Sequence, residues 1–267
     1  MPHPTQATRT TGSAGADLSD ADLAAALART AGRRLVELRS ALGDLSGDEI
    51  KKRGDAAAQL ALAEGLLAAR PDDAVLSEEA TDDQARLEAA RVWIIDPLDG
   101  TREYSEGRSD WAVHVALWAD GSLVAGAVAL PGLDTVLTTE PAAVVPARDG
   151  AAPLRMAVSR SRPPAIATGV AEALGADLVA MGSAGYKVAA VVRGEADLYV
   201  HGGGQYEWDS AAPVAVALAA GLHASRLDGS PLRYNQPDPY LPDLVVCRPE
   251  VAEQVLTVIE RVQQDVQ

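Results

Sequence analysis

The stretch VWIIDPLDGT, residues 92–101, joins an apolar strand to a polar turn. Its first four residues are bulky and apolar, a composition typical of a buried strand. Pro97 fixes its own φ angle and has no N–H donor, so we expect the chain to leave the strand and turn tightly between Asp96 and Asp99. Gly100 allows a close approach of the backbone to a ligand. The stretch therefore predicts two carboxylates that converge on one point at the end of a sheet.

A surface turn is the alternative interpretation of residues 96–101, because Asp, Pro and Gly are all common turn residues. The apolar strand in front of them argues against it, since such a strand places the turn at the end of a sheet. Gly100 and Thr101 are then expected to begin a helical turn. Their backbone N–H groups would face the site and hold a phosphate.

Two further acidic segments accompany Asp96 and Asp99. Glu78 and Glu79 follow a short apolar strand, and Asp209 begins a predicted helix. Carboxylates that are far apart in the sequence can converge on one edge of a sheet when each stands at the end of an element. Magnesium is a hard cation that prefers carboxylate and carbonyl oxygens, water and phosphate as ligands. These segments therefore predict a magnesium site.

Hydrophobic periodicity predicts an α+β first half and an α/β second half. Ser19 and Asp22 resemble a helix cap, and an apolar stripe follows them at helical spacing as far as Leu42. The poorly patterned stretch 141–153 separates the two halves. The predicted divisions are a disordered tail at 1–17, an N-terminal α+β half at 18–150 and a C-terminal α/β half at 151–267. Further helices are predicted over residues 55–70, 164–174, 184–193, 209–220 and 249–263, and strands over 74–76, 92–95, three within 111–139, and 154–158, 177–181, 196–200 and 244–247.

Two segments are interpreted as loops. Residues 43–54 connect the first two predicted helices, and we expect them to form a mobile flap near the metals. Gly202, Gly203 and Gly204 stand in succession, and we expect a flexible loop there.

Composition excludes several classes of protein. The net charge of −15 leaves no basic footprint for a nucleic-acid polymer. One cysteine, Cys247, allows neither an internal disulfide nor a cysteine-based zinc site. No apolar run approaches the roughly 18 residues of a membrane span, and the polar N-terminus is unlike a secretory signal. We therefore expect a cytoplasmic protein. The four histidines form no metal-binding pair and are interpreted as structural or incidental: His3, His114, His201 and His223.

Three segments together resemble the signatures of the inositol monophosphatase-like phosphatases. Residues 93–101 resemble their first signature, and Ser77-Glu78-Glu79 resembles their Gly-Glu-Glu segment. Residues 208–212, Trp-Asp-Ser-Ala-Ala, resemble their second signature. The order and spacing agree with that family from about Asp20 to the C-terminus. The resemblance implies a layered αβαβα sandwich of the sugar-phosphatase type, a homodimer, and inhibition by Li⁺ at a magnesium position.

The resemblance also implies how the carboxylates divide between two or three Mg²⁺ ions. Glu78, Asp96 and the carbonyl of Leu98 would bind the first ion. Asp96, Asp99 and Asp209 would bind the second. Glu78 would help to hold a third.

The attacking water has its own implied residues. In the family, a threonine and an upstream aspartate orient it, which corresponds here to Thr101 and Asp55, with Glu78 in the same catalytic group. Asp55 precedes Glu78 by a spacing that suits the family. The residues before it depart from the family pattern, because Lys52-Arg53-Gly54 stands where Thr or Ala usually precedes the aspartate.

Four local segments resemble one branch of the family, the CysQ-type phosphatases of 3′-phosphoadenosine 5′-phosphate (PAP). Residues 158–162 resemble their Ser-Arg-Ser-His stretch, although Arg162 replaces the histidine. Residues 182–187, 205–209 and 229–235 also resemble segments of that branch. Arg160, Arg162 or Lys187 would bind the second phosphate of such a nucleotide. The residues expected to contact substrate are Leu98, Asp99, Gly100, Thr101, Ser159, Arg160, Gly182, Ser183, Lys187, Glu207 and Asp209.

Two other functions remain open at this point. One is a broader phosphatase that acts on inositol 1-phosphate or fructose 1,6-bisphosphate. The other is a non-catalytic phosphate-binding or nucleotide-binding regulator on the same fold. The regulator is disfavoured, because a protein that only binds has no need of Thr101 together with all four metal carboxylates.

Overall fold

The structure, a computed structural model, describes residues 18–41, 43 and 45–265. The predicted tail at 1–17, and Leu42 at the end of the first apolar stripe, lie outside the described residues. The helices are α1 (Asp20–Ala41), α2 (Gly47–Ala69), α3 (Thr101–Ser105), α4 (Ala165–Leu174), α5 (Ala184–Val192), α6 (Glu207–Ala219) and α7 (Ala252–Asp265). The strands are β1 (Ala74–Ser77), β2 (Arg91–Asp99), β3 (Ala112–Ala119), β4 (Ser122–Leu130), β5 (Thr135–Thr138), β6 (Arg155–Ser159), β7 (Asp177–Met181), β8 (Leu198–Tyr206), β9 (His223–Ser225) and β10 (Tyr240–Cys247).

Two five-stranded sheets divide the strands in chain order. The first sheet has the order β1-β2-β3-β4-β5, with β1 parallel to β2 and every later pair antiparallel. The second has the order β7-β6-β8-β10-β9. Strands β7, β6 and β8 run parallel, while β10 is antiparallel to both of its neighbours. The division of the chain at residue 150 stays a prediction.

The core shows how the layers stack. Trp93 and Ile95 of β2 pack with the apolar faces of α1 and α2. Val92 and Ile94, which point to the opposite face of the same strand, pack with α5 and α6. The other face of the second sheet packs against α4 and α7. The molecule is therefore an αβαβα sandwich, which confirms the predicted fold class.

The start of α1 confirms the predicted cap. The amide of Asp22 donates to Ser19 Oγ at 3.1 Å, and the hydroxyl donates to the Asp22 carboxylate at 2.7 Å. Leu23, Leu27 and Leu35 of the predicted stripe are buried. None of the helices in the described ranges is both long enough and apolar enough to cross a membrane.

Three local predictions were wrong. Asp96 and Asp99 were expected to leave the strand, but β2 continues through them with a shift of register between the two. The flap at 43–54 was expected to be a loop, but α2 begins at Gly47, where Ser46 Oγ caps the amide of Glu49 at 3.3 Å. The glycines at 202–204 lie within β8, where Gly202 pairs with Asp243 of β10 and Gly203 and Gly204 form a bulge in the pairing.

Candidate functional site

The end of β2 carries two carboxylates to one point. Asp96 pairs with His114 of β3 and Asp99 pairs with Ala112, so Val113 of β3 faces two residues of β2, Pro97 and Leu98. This bulge turns the strand within the sheet. The amide of Leu98 donates back to Asp96 Oδ1 at 3.0 Å, which closes the bulge locally. One ligand atom from each of Asp96, Asp99 and His114 lies within 4.8 Å of the others.

Asp99 is held by the start of α5. Its two oxygens accept hydrogen bonds from the amides of Ala184, at 3.1 Å, and Gly185, at 2.6 Å. His114 Nε2 lies 3.2 Å from the second oxygen. Burial alone would raise the pKa of Asp99, but His114, the Gly185 amide and the charge of Lys187 outweigh it and lower that pKa. Asp99 is therefore ionised and fixed in position.

Asp96 is in the opposite situation. Its Oδ2 atom is buried and has no hydrogen-bond partner among the described residues. Burial and the negative charges of Glu78 and Asp99 raise the pKa of Asp96 well above its usual range. Desolvation and the charge of Asp209 raise the pKa of Glu78 to about 7. Crowded carboxylates with an unpartnered oxygen are the donor set that a hard divalent cation requires, so these residues fit Mg²⁺.

Asp209 reaches the same point from the first turn of α6. One of its oxygens accepts the amide hydrogen of Tyr206 at 2.6 Å and so caps the helix. Burial and the negative charge of Asp99 raise the pKa of Asp209 to about 6. All four predicted metal carboxylates are thus coupled to one another electrostatically.

Gly54 explains how Asp55 comes near this region. A Cβ atom at residue 54 would lie 2.8 Å from the ring of Tyr104 and 3.0 Å from the side chain of Leu98. Glycine therefore lets α2 pack directly on α3 and β2. This close packing accounts for glycine at residue 54, where the family pattern has Thr or Ala. Desolvation and the charge of Glu79 raise the pKa of Asp55 to about 7.

His114 is the site residue that sequence reasoning missed. It is fully buried, and its Nδ1 atom lies 3.1 Å from the carbonyl oxygen of Trp208. A Cβ atom on Gly185 would overlap its Nε2 atom. Asp99 raises the pKa of His114 although burial opposes the charge. No local sequence signal marks it, because the pairing of β3 with β2 places residue 114 beside Asp96.

A cleft of about 350 Å³ opens beside Asp99 and Asp209. That size suits a small-molecule ligand. Among the predicted substrate contacts, Asp99, Ser159, Gly182, Ser183, Lys187 and Asp209 line it. Arg162 lines it as well. Leu98 is buried beneath the site, and Gly100 precedes α3, which Thr101 begins.

Three predicted contacts are bound by other groups of the protein, although Lys187 also lines the cleft. Lys187 donates to the carbonyl oxygens of Gly182, at 2.6 Å, and Ser183, and its burial lowers its pKa to about 8. Arg160 is not among the described residues that line the cleft; it forms ion pairs with Glu103, at 3.0 Å, and Glu106, at 2.8 Å. The geometry therefore gives Lys187 and Arg160 bracing roles in this conformation.

Glu207 also lies away from the cleft. Its carboxylate is buried and accepts the amides of Asn235, at 2.6 Å, and Gln236, at 2.8 Å. Both oxygens are thus engaged by the segment that precedes β10. The structure gives a substrate contact by Glu207 no support.

Comparison with known proteins gives a consistent result. Residues 19–264 match the model of the inositol monophosphatase family. A 3′-phosphoadenosine 5′-phosphate phosphatase of Mycobacterium leprae is 53% identical over 261 residues, which cover 93% of this chain and 96% of the relative. The 3′(2′),5′-bisphosphate nucleotidase CysQ of Escherichia coli is 32% identical over 198 residues, 70% of this chain and 80% of the relative.

A solved structure agrees with these sequence relatives. CysQ from Bacteroides thetaiotaomicron, described as a bacterial member of the inositol monophosphatase family, superposes with a TM-score of 0.76 at 26% identity. The match covers 86% of this chain and 97% of that one. The shared fold therefore extends over nearly the whole of that relative.

Proposed function

The chain belongs to the inositol monophosphatase family, and we propose that it is a Mg²⁺-dependent phosphomonoester hydrolase that removes the 3′-phosphate of PAP, giving AMP and inorganic phosphate. The observation that carries the reaction class is the crowding of Glu78, Asp96 and Asp209 around Asp99. The relatives named for PAP and bisphosphate nucleotides support the choice of substrate.

The proposed metal ligands follow from that crowding. Glu78, Asp96 and the Leu98 carbonyl would hold one Mg²⁺, and Asp96, Asp99 and Asp209 a second, with Glu78 also serving a third. When bound, such ions neutralise a phosphate dianion and lower the pKa of water. The protein holds Asp99 rigidly through the Ala184 and Gly185 amides, while Asp96 keeps an oxygen free for a ligand.

Asp55 and Thr101 are the proposed residues for the attacking water. Gly54 brings the second helix against the element that Thr101 begins. A carboxyl with a pKa of about 7 exchanges protons readily near neutral pH. Asp55 would therefore accept a hydrogen bond from the water, and the Thr101 hydroxyl would orient the same water through a second hydrogen bond.

The second phosphate of PAP needs positive charge away from the metal carboxylates. Arg162 lines the cleft together with Ser159 and Ser183. A guanidinium can bind phosphate through two parallel hydrogen bonds. We assign the 5′-phosphate to Arg162; Arg160 would join it only by leaving Glu103 and Glu106.

Phosphate release tests this function directly. PAP, inositol 1-phosphate and fructose 1,6-bisphosphate are compared with Mg²⁺ and with EDTA. We expect kcat/KM for PAP to exceed the others by at least about 100-fold, which is about 2.7 kcal/mol of transition-state discrimination. Comparable values would indicate a broader sugar-phosphate phosphatase. Absence of metal-dependent release from all three would refute the catalytic proposal.

We also propose that the enzyme acts in the cytoplasm as a homodimer. The composition and the resemblance to the family support these two statements. Light scattering after size-exclusion chromatography gives the mass in solution, and a mass of one chain would contradict the dimer.

A further inference from the structure

Tyr206, at the end of β8, presents an aromatic ring to the cleft. It lines the cleft, and 44% of its surface is exposed. One face of the ring stacks on Trp208, with ring centroids 4.8 Å apart and planes inclined by 9°. This stacking fixes the plane of the Tyr206 ring and leaves it one face without that partner. Large exposed aromatic rings are uncommon unless a ligand or partner uses them.

Two glycines precede Gln205 and Tyr206 in β8. Gly203 and Gly204 line up in the same strand with φ angles of 133° and 90°, which side chains rarely adopt. Gly204 lines the cleft, whereas Gly203 lines a separate hollow. A Cβ atom at Gly204 would overlap the ring of Tyr240. Glycine at residue 204 therefore adds no side chain to the cleft beside Tyr206.

The ring also lies close to the reaction centre. The amide of Tyr206 donates to Asp209 Oδ2 at 2.6 Å, so the aromatic residue and a proposed metal ligand lie within the same turn at the start of α6. In a nucleoside 3′-phosphate, a single ribose ring separates the phosphate from the base. A phosphate bound at the carboxylates therefore places the base within reach of Tyr206.

We propose that Tyr206 is the specificity-determining residue for the nucleotide, because its open face stacks on the base. This inference rests on the proposed function, since it names the part of that substrate which the metal carboxylates do not contact. The rest of the cleft is lined mainly by charged and polar groups, which bind phosphate and ribose. Stacking on an aromatic ring is the usual way in which proteins hold an unpaired base.

The kinetic test compares three variants. Tyr206→Leu removes the flat ring, Tyr206→Phe keeps it, and Tyr240→Leu is the matched control. Tyr240 stands edge-on to Tyr206 and is 49% exposed, but it is not among the described residues that line the cleft. We expect Tyr206→Leu to raise KM for PAP about tenfold. We expect it to lower, by the same factor, the ratio of kcat/KM for PAP to kcat/KM for fructose 1,6-bisphosphate. We expect less than about a twofold change in the other two variants.

A binding test separates this inference from the proposed function. Calorimetry with Mg²⁺ present measures the affinities of AMP and of ribose 5-phosphate, which differ only by the base. We expect AMP to bind about tenfold more tightly to the wild type and the difference to disappear in Tyr206→Leu. An unchanged difference in that variant overturns the role of Tyr206, even if PAP is the substrate. If the wild type hydrolyses PAP no faster than sugar phosphates, the proposed function fails. The AMP measurement still decides whether Tyr206 stacks on a base.

Discussion

Asp96 and Asp99 stand three residues apart and meet opposite surroundings. Asp96 has a buried oxygen with no hydrogen-bond partner in the described part of the chain, whereas both oxygens of Asp99 accept backbone amides. Asp96→Asn removes a buried acid whose ionised form is disfavoured and keeps an oxygen for the Leu98 amide. We therefore expect the metal-free protein to gain about 1–2 kcal/mol of unfolding free energy. Asp99→Asn turns an NH₂ group toward a backbone N–H, and we expect a loss of about 2 kcal/mol. Urea unfolding in EDTA measures both.

Activity and metal binding should move together in the same two variants. Each removes a charged ligand from the proposed Mg²⁺ site, so we expect kcat/KM to fall at least about 100-fold and the calorimetric Mg²⁺ affinity to fall with it. Asp96 would then be a residue that costs stability for the sake of function. Equal destabilisation of the metal-free protein by Asp96→Asn and Asp99→Asn would contradict this account.

His114 and Gly185 form a pair that can be tested by a double-mutant cycle. Gly185→Ala places a methyl group on the His114 ring, so we expect it to lower the unfolding free energy by about 3 kcal/mol. After His114→Ser makes room, the same change should cost nothing or stabilise, because alanine is the better helix former by about 1 kcal/mol. Chemical unfolding of the four proteins gives the coupling energy. Additive effects would show that the two residues do not touch.

The convergence of the four carboxylates proposed as metal ligands was predictable from the sequence, because each stands at the end of an element beside an apolar run. His114 was not, because only the register of β3 on β2 brings it to Asp96. Glu207 was predicted as a substrate contact from its place before Trp208. Nothing local shows that its partners are the amides of residues 235 and 236.

At the scale of elements, Glu207 ties the start of α6 to the segment before β10. Arg86 joins the same network by donating to Asn235 Oδ1 at 2.7 Å and to the carbonyl of Gln236 at 2.8 Å. Glu207→Gln sets an NH₂ group against a buried N–H donor, so we expect the unfolding free energy to fall by about 2 kcal/mol. We expect KM for PAP to change less than about twofold. A KM that rises tenfold with unchanged stability would restore the predicted substrate contact.

Element boundaries failed where local rules conflict with tertiary structure. Pro97 predicted an end to β2, yet the strand tolerates it within a bulge, where a missing donor breaks no regular pairing. The three glycines of β8 predicted a loop, yet β8 continues through them, because Gly202 and Gln205 both pair with β10 and the two glycines between them form a bulge. The start of α2 at Gly47 depends on a Ser46 cap that the loop interpretation overlooked. The alternation of strands and helices, by contrast, depends on burial patterns that are visible locally.

The layered architecture of the whole molecule explains why the site lies where it does. Strand β2 belongs to the first sheet, and α5 and α6 form the middle layer between the sheets. Asp96 and Asp99 thus come from one layer, and Asp209 and the amides that hold Asp99 come from the next. Folding of both halves is needed to complete the site, and the carboxylates repel one another once it is complete. The repulsion among these carboxylates therefore lowers the free energy of unfolding unless cations are bound.

This loss of unfolding free energy depends on pH, and the pKa shifts give the direction. The pKa values of Glu78 and Asp209 are raised to about 7 and about 6, and that of Asp96 is raised further above its usual range. Between the ordinary carboxyl values near about 4 and these raised values, the folded protein binds more protons than the unfolded chain. The free energy of unfolding therefore falls as the pH rises through this window.

We expect the melting temperature of the protein in EDTA to fall by about 5 °C or more from pH 5 to pH 8. The lowered pKa values of Asp20 and Asp197 act only below this range. The raised pKa values of Asp55 and His114 add to the trend, whereas the lowered ones of His201 and His223 oppose it. Comparison with Asp96→Asn, whose melting temperature should vary less with pH, isolates the site.

The proposed Mg²⁺ ions would bind the ionised carboxylates, so we expect the addition of Mg²⁺ to raise the melting temperature more at pH 8 than at pH 5. The repulsion that destabilises the metal-free fold at pH 8 is the same interaction that the cations relieve. We therefore expect the melting temperatures measured with and without Mg²⁺ to diverge as the pH rises. A metal-free melting temperature that stays level or rises from pH 5 to pH 8, or a Mg²⁺ effect that is equal at both, would show that the carboxylates do not share one charge cluster.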